Sequence, residues 1–229
     1  ACFVLLPKAL AVVPPPSGGY PNFTTAAGDH GLQALSSGVG NTAIGTFSLF
    51  SVTTGNFNTA VGAGALDLNT ADSNTATGAA ALLFNTTGTE NTGNGTAALE
   101  FNETGSNNTA TGAFALFSNT GHSGTGLGSN NTAVGDRALF TNTIGSGNTA
   151  TGYHALISNT SGFGNAAFGL ALVSNQTGNT NSAFGQGALS ANLAGNSNSA
   201  FGNIALFNNT GSENTAIGDA AGDFLTTGS

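Results

Sequence analysis

The sequence predicts an all-β fold, a parallel β-solenoid or β-roll of about 12 coils of 16–17 residues each. Three observations predict it. The first is a repeating unit, N-T-A-x-G-x-x-A-L-x-x-N-T-T-G-x-x, whose leading Asn falls at 41, 58, 74, 91, 108, 131, 148, 165, 181, 198 and 214. The second is the period: helix-pair repeats need roughly 33 residues or more, about twice what is available here. The third is composition. Two Gly per unit with abundant Asn and Thr disfavour helix, and 39% hydrophobic residues with only 5% charged residues do not fit simple disorder. At about 4.8 Å per coil, twelve coils make a rod of about 58 Å.

Residues 1–23 stand apart as an extended, apolar, Pro-rich N-terminal arm. Phe3, Val4, Leu5, Leu6, Leu10, Val12 and Val13 are its apolar residues, interrupted by Pro7 and Lys8. The run is too short to span a bilayer. Pro14, Pro15 and Pro16 impose a polyproline segment, and Ser17-Gly18-Gly19 forms a joint. Such an arm caps its own solenoid, pairs with a neighbouring molecule as an added strand, or is disordered. An Ala at residue 1 and the absence of Met point to processing, most simply removal of an export signal. The lone Cys2 excludes an internal disulfide framework. It is a free thiol, an intermolecular crosslink or a trace of lipid attachment.

Residues 24–229 form the repeat domain, with a degenerate first copy at Thr24 and an insertion near 119–130. Each unit should hold two short extended segments separated by Gly and Asn corners. In the first, N-T-A-x-G, side chains alternate faces. Thr or Ser at position 2 shares a face with position 4, while position 3, nearly always Ala, faces the other way against a closely approaching surface. The second segment centres on Ala-Leu. Leu49, Leu66, Leu82, Leu99, Leu116, Leu139, Leu156, Leu172, Leu189 and Leu206 should stack as one core ladder, each contributing about 1.5–3 kcal/mol when buried. No coil can bury its Leu alone, so stability is shared between neighbours. The Gly at position 5 and the Gly of N-T-T-G should supply backbone angles other residues avoid. The Asn beside them should cap turns and hydrogen-bond along the rod as amide ladders.

The N-T-A-x-G core, clearest at Asn41-Thr42-Ala43-Ile44-Gly45 and Asn214-Thr215-Ala216-Ile217-Gly218, resembles the head repeat of trimeric autotransporter adhesins. Similar arrays also occur in exported bacterial repeat proteins with no assigned role. The resemblance covers Thr24 to the end and implies a left-handed β-roll, assembled as a homotrimer and displayed outside the cell for attachment. The unit here is longer than the family's by the L-x-x-N-T-T turn.

Function classes narrow by exclusion. A net charge of −8, with Lys8 and Arg137 the only Lys or Arg, cannot neutralise phosphates, which argues against a nucleic-acid partner. His30, His122 and His154 stand far apart and pair with neither one another nor Cys2 as metal ligands. The ten carboxylates do not recur as a ladder, no phosphate-binding loop motif is present, and no nucleophile stands with a base and an orienting group. Neither enzyme activity nor a cofactor is expected. Sequons at Asn22, Asn85, Asn94, Asn102, Asn107, Asn130, Asn159, Asn175 and Asn208 are candidate glycosylation acceptors on an exported chain. The expected function is an extracellular structural subunit of a surface fibre, joined head to tail with the arm bridging subunits; its partner is itself. The alternatives are an adhesin head binding matrix or glycan and, with less support, an ice-binding protein using its rank of Thr.

Overall fold

The structure, a computed structural model, describes residues 21–122 and 124–227. The assembly arm falls largely outside them. The described chain winds as a β-solenoid with one three-residue strand per coil. The strands are β1 (Thr25–Ala27), β2 (Thr42–Ile44), β3 (Thr59–Val61), β4 (Thr75–Thr77), β5 (Thr92–Asn94) and β6 (Thr109–Thr111). They continue as β7 (Thr132–Val134), β8 (Thr149–Thr151), β9 (Ala166–Phe168), β10 (Ser182–Phe184), β11 (Ser199–Phe201) and β12 (Thr215–Ile217). All twelve form a single parallel sheet in sequence order. Register is one residue type upon the same type: Thr42 on Thr59, Ala43 on Ala60, Ile44 on Val61. Between coils the N–H at position 2 donates to the next coil's leading Asn carbonyl, as Thr42 does to Asn58 at 2.8 Å.

The middle residue of each strand, Ala in all but β5, where it is Gly93, points inward. Ala43, Ala60, Ala76, Ala110, Ala133 and Ala150 are fully buried, as are all ten Leu of the expected ladder save Leu206, at 1% exposure. Positions 2 and 4 face outward, so the period-2 alternation of the sequence holds over a strand only three residues long.

The second segment departs from the expected extended form. The Ala-Leu pair lies in a turn, and Leu at this position sits at φ between +48° and +55° in every coil from Leu32 to Leu206. Left-handed backbone costs a residue with a Cβ about 1–2 kcal/mol. Two gains offset that cost. The turn aims each Leu into the centre, and its N–H still bonds to the next coil, as Leu49 does to the Ala65 carbonyl at 3.0 Å. Coil-to-coil hydrogen bonding therefore continues through the turn without a second sheet.

The two recurrent glycines have different causes. At position 5 the backbone demands Gly: Gly45 has φ +134°, and a Cβ there would meet the Gly62 carbonyl oxygen at 2.5 Å. The Gly of N-T-T-G, expected to serve an unusual backbone angle, does not do so; Gly88, Gly105, Gly145, Gly162, Gly178 and Gly195 lack positive φ. A Cβ at Gly162 would instead strike the Gly178 carbonyl oxygen and the Asn159 and Asn175 amides. This Gly exists because the next coil is too close.

Two columns of Asn complete the core. One is the leading Asn of each unit, from Asn41 to Asn214; the other is the Asn of N-T-T-G, from Asn69 to Asn209. Neither sits at a left-handed corner. Leading Asn residues accept at Oδ1 from the backbone N–H of the Asn one coil on and in most coils from its amide too, as Asn131 does from Asn148 at 3.0 and 3.2 Å. In most coils the leading Asn Nδ2 also donates to a Gly carbonyl, Asn148 to Gly162 at 2.8 Å; Asn58 donates to the Ala71 carbonyl instead. The second column runs likewise, with Asn102 donating to Asn85 at 2.7 Å and to Gly105 at 2.9 Å. The amide ladder expected from sequence is thus present, but inside the rod.

Candidate functional site

Because the interior is filled by Ala, Leu and Asn, function must be sought on outward columns and at the two ends. The flat outer face of the sheet carries no charge at any coil. Position 2 is Thr from Thr25 through Thr149, then Ala166, Ser182, Ser199 and Thr215. Position 4 changes at the same place. It runs through Ala27, Ile44, Val61, Thr77, Asn94, Thr111, Val134 and Thr151, and then becomes Phe168, Phe184, Phe201 and Ile217. The three Phe rings stack nearly parallel, with centroids 4.5 and 4.8 Å apart. Ile217, at the end of the row, is 76% exposed and Phe201 39%.

A second aromatic cluster lies on the Ala-Leu turn side. Phe84 stacks on Phe101 and Phe117 on Phe140, each at 5.0 Å, with Arg137 5.4 Å from the Phe114 centroid. Asp67 and Glu100 occupy the column that Phe50, Leu83 and Phe117 hold in neighbouring coils. Burial among these groups raises both carboxyls above their ordinary values of 3.8 and 4.5. The N-T-T-G side carries a shallow polar groove of about 400 Å³ lined by Thr54, Asn56, Thr70, Asp72 and Thr89. It forms where coil 58–73 is one residue short. Its hydrogen bonds are already committed within the rod: Asp72 accepts from the Asn56 N–H at 2.7 Å.

Among the described residues no three His, Cys, Asp or Glu side chains gather to hold a metal. His30 lies 3.0 Å from Asp29, and His154 Nε2 lies 4.0 Å from Asp136. No helix among the described residues is long and apolar enough to cross a membrane.

The sequons divide. Asn85, Asn102, Asn159 and Asn175 belong to the second Asn column and are fully buried with their amides bonded. They are not acceptors on the folded rod, because a glycan on Nδ2 would require the coil to open. Asn22, Asn94, Asn107, Asn130 and Asn208 are exposed.

Among the described residues neither end of the rod is covered. β1 and β12 each have one neighbouring strand. The second Asn column is replaced by apolar residues at both ends, Leu35 and Val52 at the start and Leu225 at the finish. Phe23 and Phe224 are 91% and 89% exposed. Comparison with protein-family models, with curated proteins and with solved structures found no match.

Proposed function

We propose that the chain is a structural subunit of an extracellular fibre whose copies join end to end, continuing one solenoid through many molecules. The observation that carries the reading is the pairing of the two ends. A copy placed on β12 in the same register would set its Ala26 on Ala216, its Leu32 beside Gly222, where the rod's last coil lacks a Leu, and its Leu35 on Leu225. Apolar residues at the second Asn column then meet one another and not an amide left without its ladder. An edge strand facing water is a template for another strand; the like-charge contact of this register, Asp29 on Asp219, falls between two exposed side chains that salt screens.

The charge distribution agrees with a building role. A solenoid with one basic residue in its described part and an outer sheet face free of charge offers little to an ionic ligand. Electron microscopy of the purified full chain tests the reading. Unbranched filaments are expected, with strands perpendicular to the axis, a repeat near 4.8 Å and a subunit repeat near 58 Å. A chain that stays monomeric at high concentration and neutral pH overturns it.

A second reading, an ice-binding face, is favoured by the eight successive Thr of position 2, from Thr25 to Thr149, in register on a charge-free sheet. Position 4 opposes it, because Ile44, Val61, Asn94 and Val134 break the second rank. A thermal hysteresis measurement decides it.

A further inference from the structure

We infer that the Phe168–Phe184–Phe201–Ile217 ladder is the docking track for the apolar N-terminal arm of the next copy in the filament. The inference rests on the end-to-end reading and assigns the contact that locks each joint.

Four observations point to this occupant. The ladder is on the sheet's outer face, at the end of the rod where the next copy would begin, and its most exposed member, Ile217, is nearest that end. Where position 4 turns to Phe, position 2 shrinks to Ala166, Ser182 and Ser199, so a shallow shelf runs beside the rings. An extended chain carrying Val, Leu and Phe fits such a shelf. The arm also meets the length requirement. A following copy would start its first coil one step beyond β12, and the eight steps from Val13 to Pro21 reach about 29 Å at most. The ladder spans only about 14 Å, three coil steps. Residues 3–13 can therefore turn back from the joint and lie along it. Finally, no like charge opposes the contact, since the ladder's face is uncharged and the two parts differ in sign. The ten carboxylates and Arg137 all lie in residues 24–229, a net of −9, while the arm carries Lys8 and no carboxylate, a net of +1.

The test uses two full-length variants. One alters the ladder, Phe184→Thr with Phe201→Thr, since Thr already fills this column at Thr77, Thr111 and Thr151. The other alters the arm, Leu5→Ser, Leu6→Ser and Leu10→Ser. Each alone should raise the concentration needed for filaments by about tenfold or more, as expected for removing partly buried apolar contacts. Unchanged melting of the ladder variant shows that its fold is kept. The decisive sample is their mixture, at a concentration where each alone is monomeric. The intact arm of one can dock on the intact ladder of the other, so sedimentation should show discrete dimers. Wild-type filaments without mixed dimers would overturn the arm-to-ladder contact and leave end-to-end assembly standing. Absence of wild-type filaments would overturn both.

Discussion

Replacing Asn148 by Ala tests the buried amide ladder directly. Asn148 Oδ1 accepts from the Asn165 backbone N–H at 2.9 Å and from Asn165 Nδ2 at 3.1 Å. Its Nδ2 donates to the Gly162 carbonyl, which also receives Asn159 Nδ2 at 3.0 Å, and to Asn131 Oδ1, which also receives the Asn148 backbone N–H. Truncation to Ala therefore leaves both acceptors with a partner but strips two buried donors of Asn165. At about 1–3 kcal/mol per stranded buried group, the loss should be about 2–6 kcal/mol. Asn148→Asp keeps the acceptor but turns a carboxylate toward two carbonyl-type oxygens. It should be worse at pH 7 than at pH 4, where protonation restores a donor. Thr149→Ala, one residue on and facing outward, should change stability by about 0.5 kcal/mol at most. Urea unfolding followed by circular dichroism measures all three. A cost below about 1 kcal/mol for Asn148→Ala would show that the ladder does not hold the coils together, and the account of the core would fail.

Two further outcomes follow from the glycines and the shifted carboxyls. Gly162→Ala should destabilise by about 1–3 kcal/mol through crowding, because its Cβ would meet Asn159 Oδ1 at 2.5 Å. Gly126→Ala, with φ +71° and nothing within 4 Å of its Cβ, carries backbone strain alone; equal costs at the two sites would remove crowding as the cause. Asp67 and Glu100 hold their protons more tightly folded than unfolded, so their contribution is lost as pH rises above the ordinary carboxyl values of 3.8 and 4.5 and returns on acidification. Melting temperature should rise as pH falls into the carboxyl range just above these ordinary values, and Asp67→Asn with Glu100→Gln should flatten that slope; an unchanged slope would assign it to overall charge.

The columns were legible in the sequence because each is a single residue type at a fixed spacing. Ala at position 3 and Leu at position 9 declared a buried centre before any strand was placed. The turn at Leu was not legible, since Leu is a poor candidate for positive φ and an Ala-Leu pair reads equally as extended. The interior place of Asn was hidden for a related reason. Asn beside Gly and Thr is the usual composition of an exposed corner, and nothing in one unit says that eleven others stack on it. The sequons at Asn85, Asn102, Asn159 and Asn175 were misplaced by the same local reading. The Phe ladder left a sequence trace, the simultaneous change at positions 2 and 4 from Ala166 onward, which is visible only when the units are aligned to one another.

Variation in coil length shows what this fold holds constant. The step from Thr109 to Thr132 is 23 residues, yet the two strands pair in register, because the extra chain loops out around the His122–Leu127 bridge. Coils 58–73 and 198–213 each drop one residue between the second Asn column and the next leading Asn, and Asn69–Asn74 and Asn209–Asn214 still bond. Coil 165–180 drops its residue elsewhere, between Gly169 and Leu172. There φ relaxes to +87°, and a Cβ on Gly169 would stand 3.5 Å from Gly185. In every case the change falls in a connection and the Ala, Leu and leading Asn columns pass through it unbroken. Coil length is thus subordinate to axial contact, as it must be when a coil has almost no core except what its neighbours supply. The same condition applies at the last coil, where Ala216 is only partly covered and Gly222 leaves the Leu column open. The proposed end-to-end joint would complete that coil with the first coil of a second molecule.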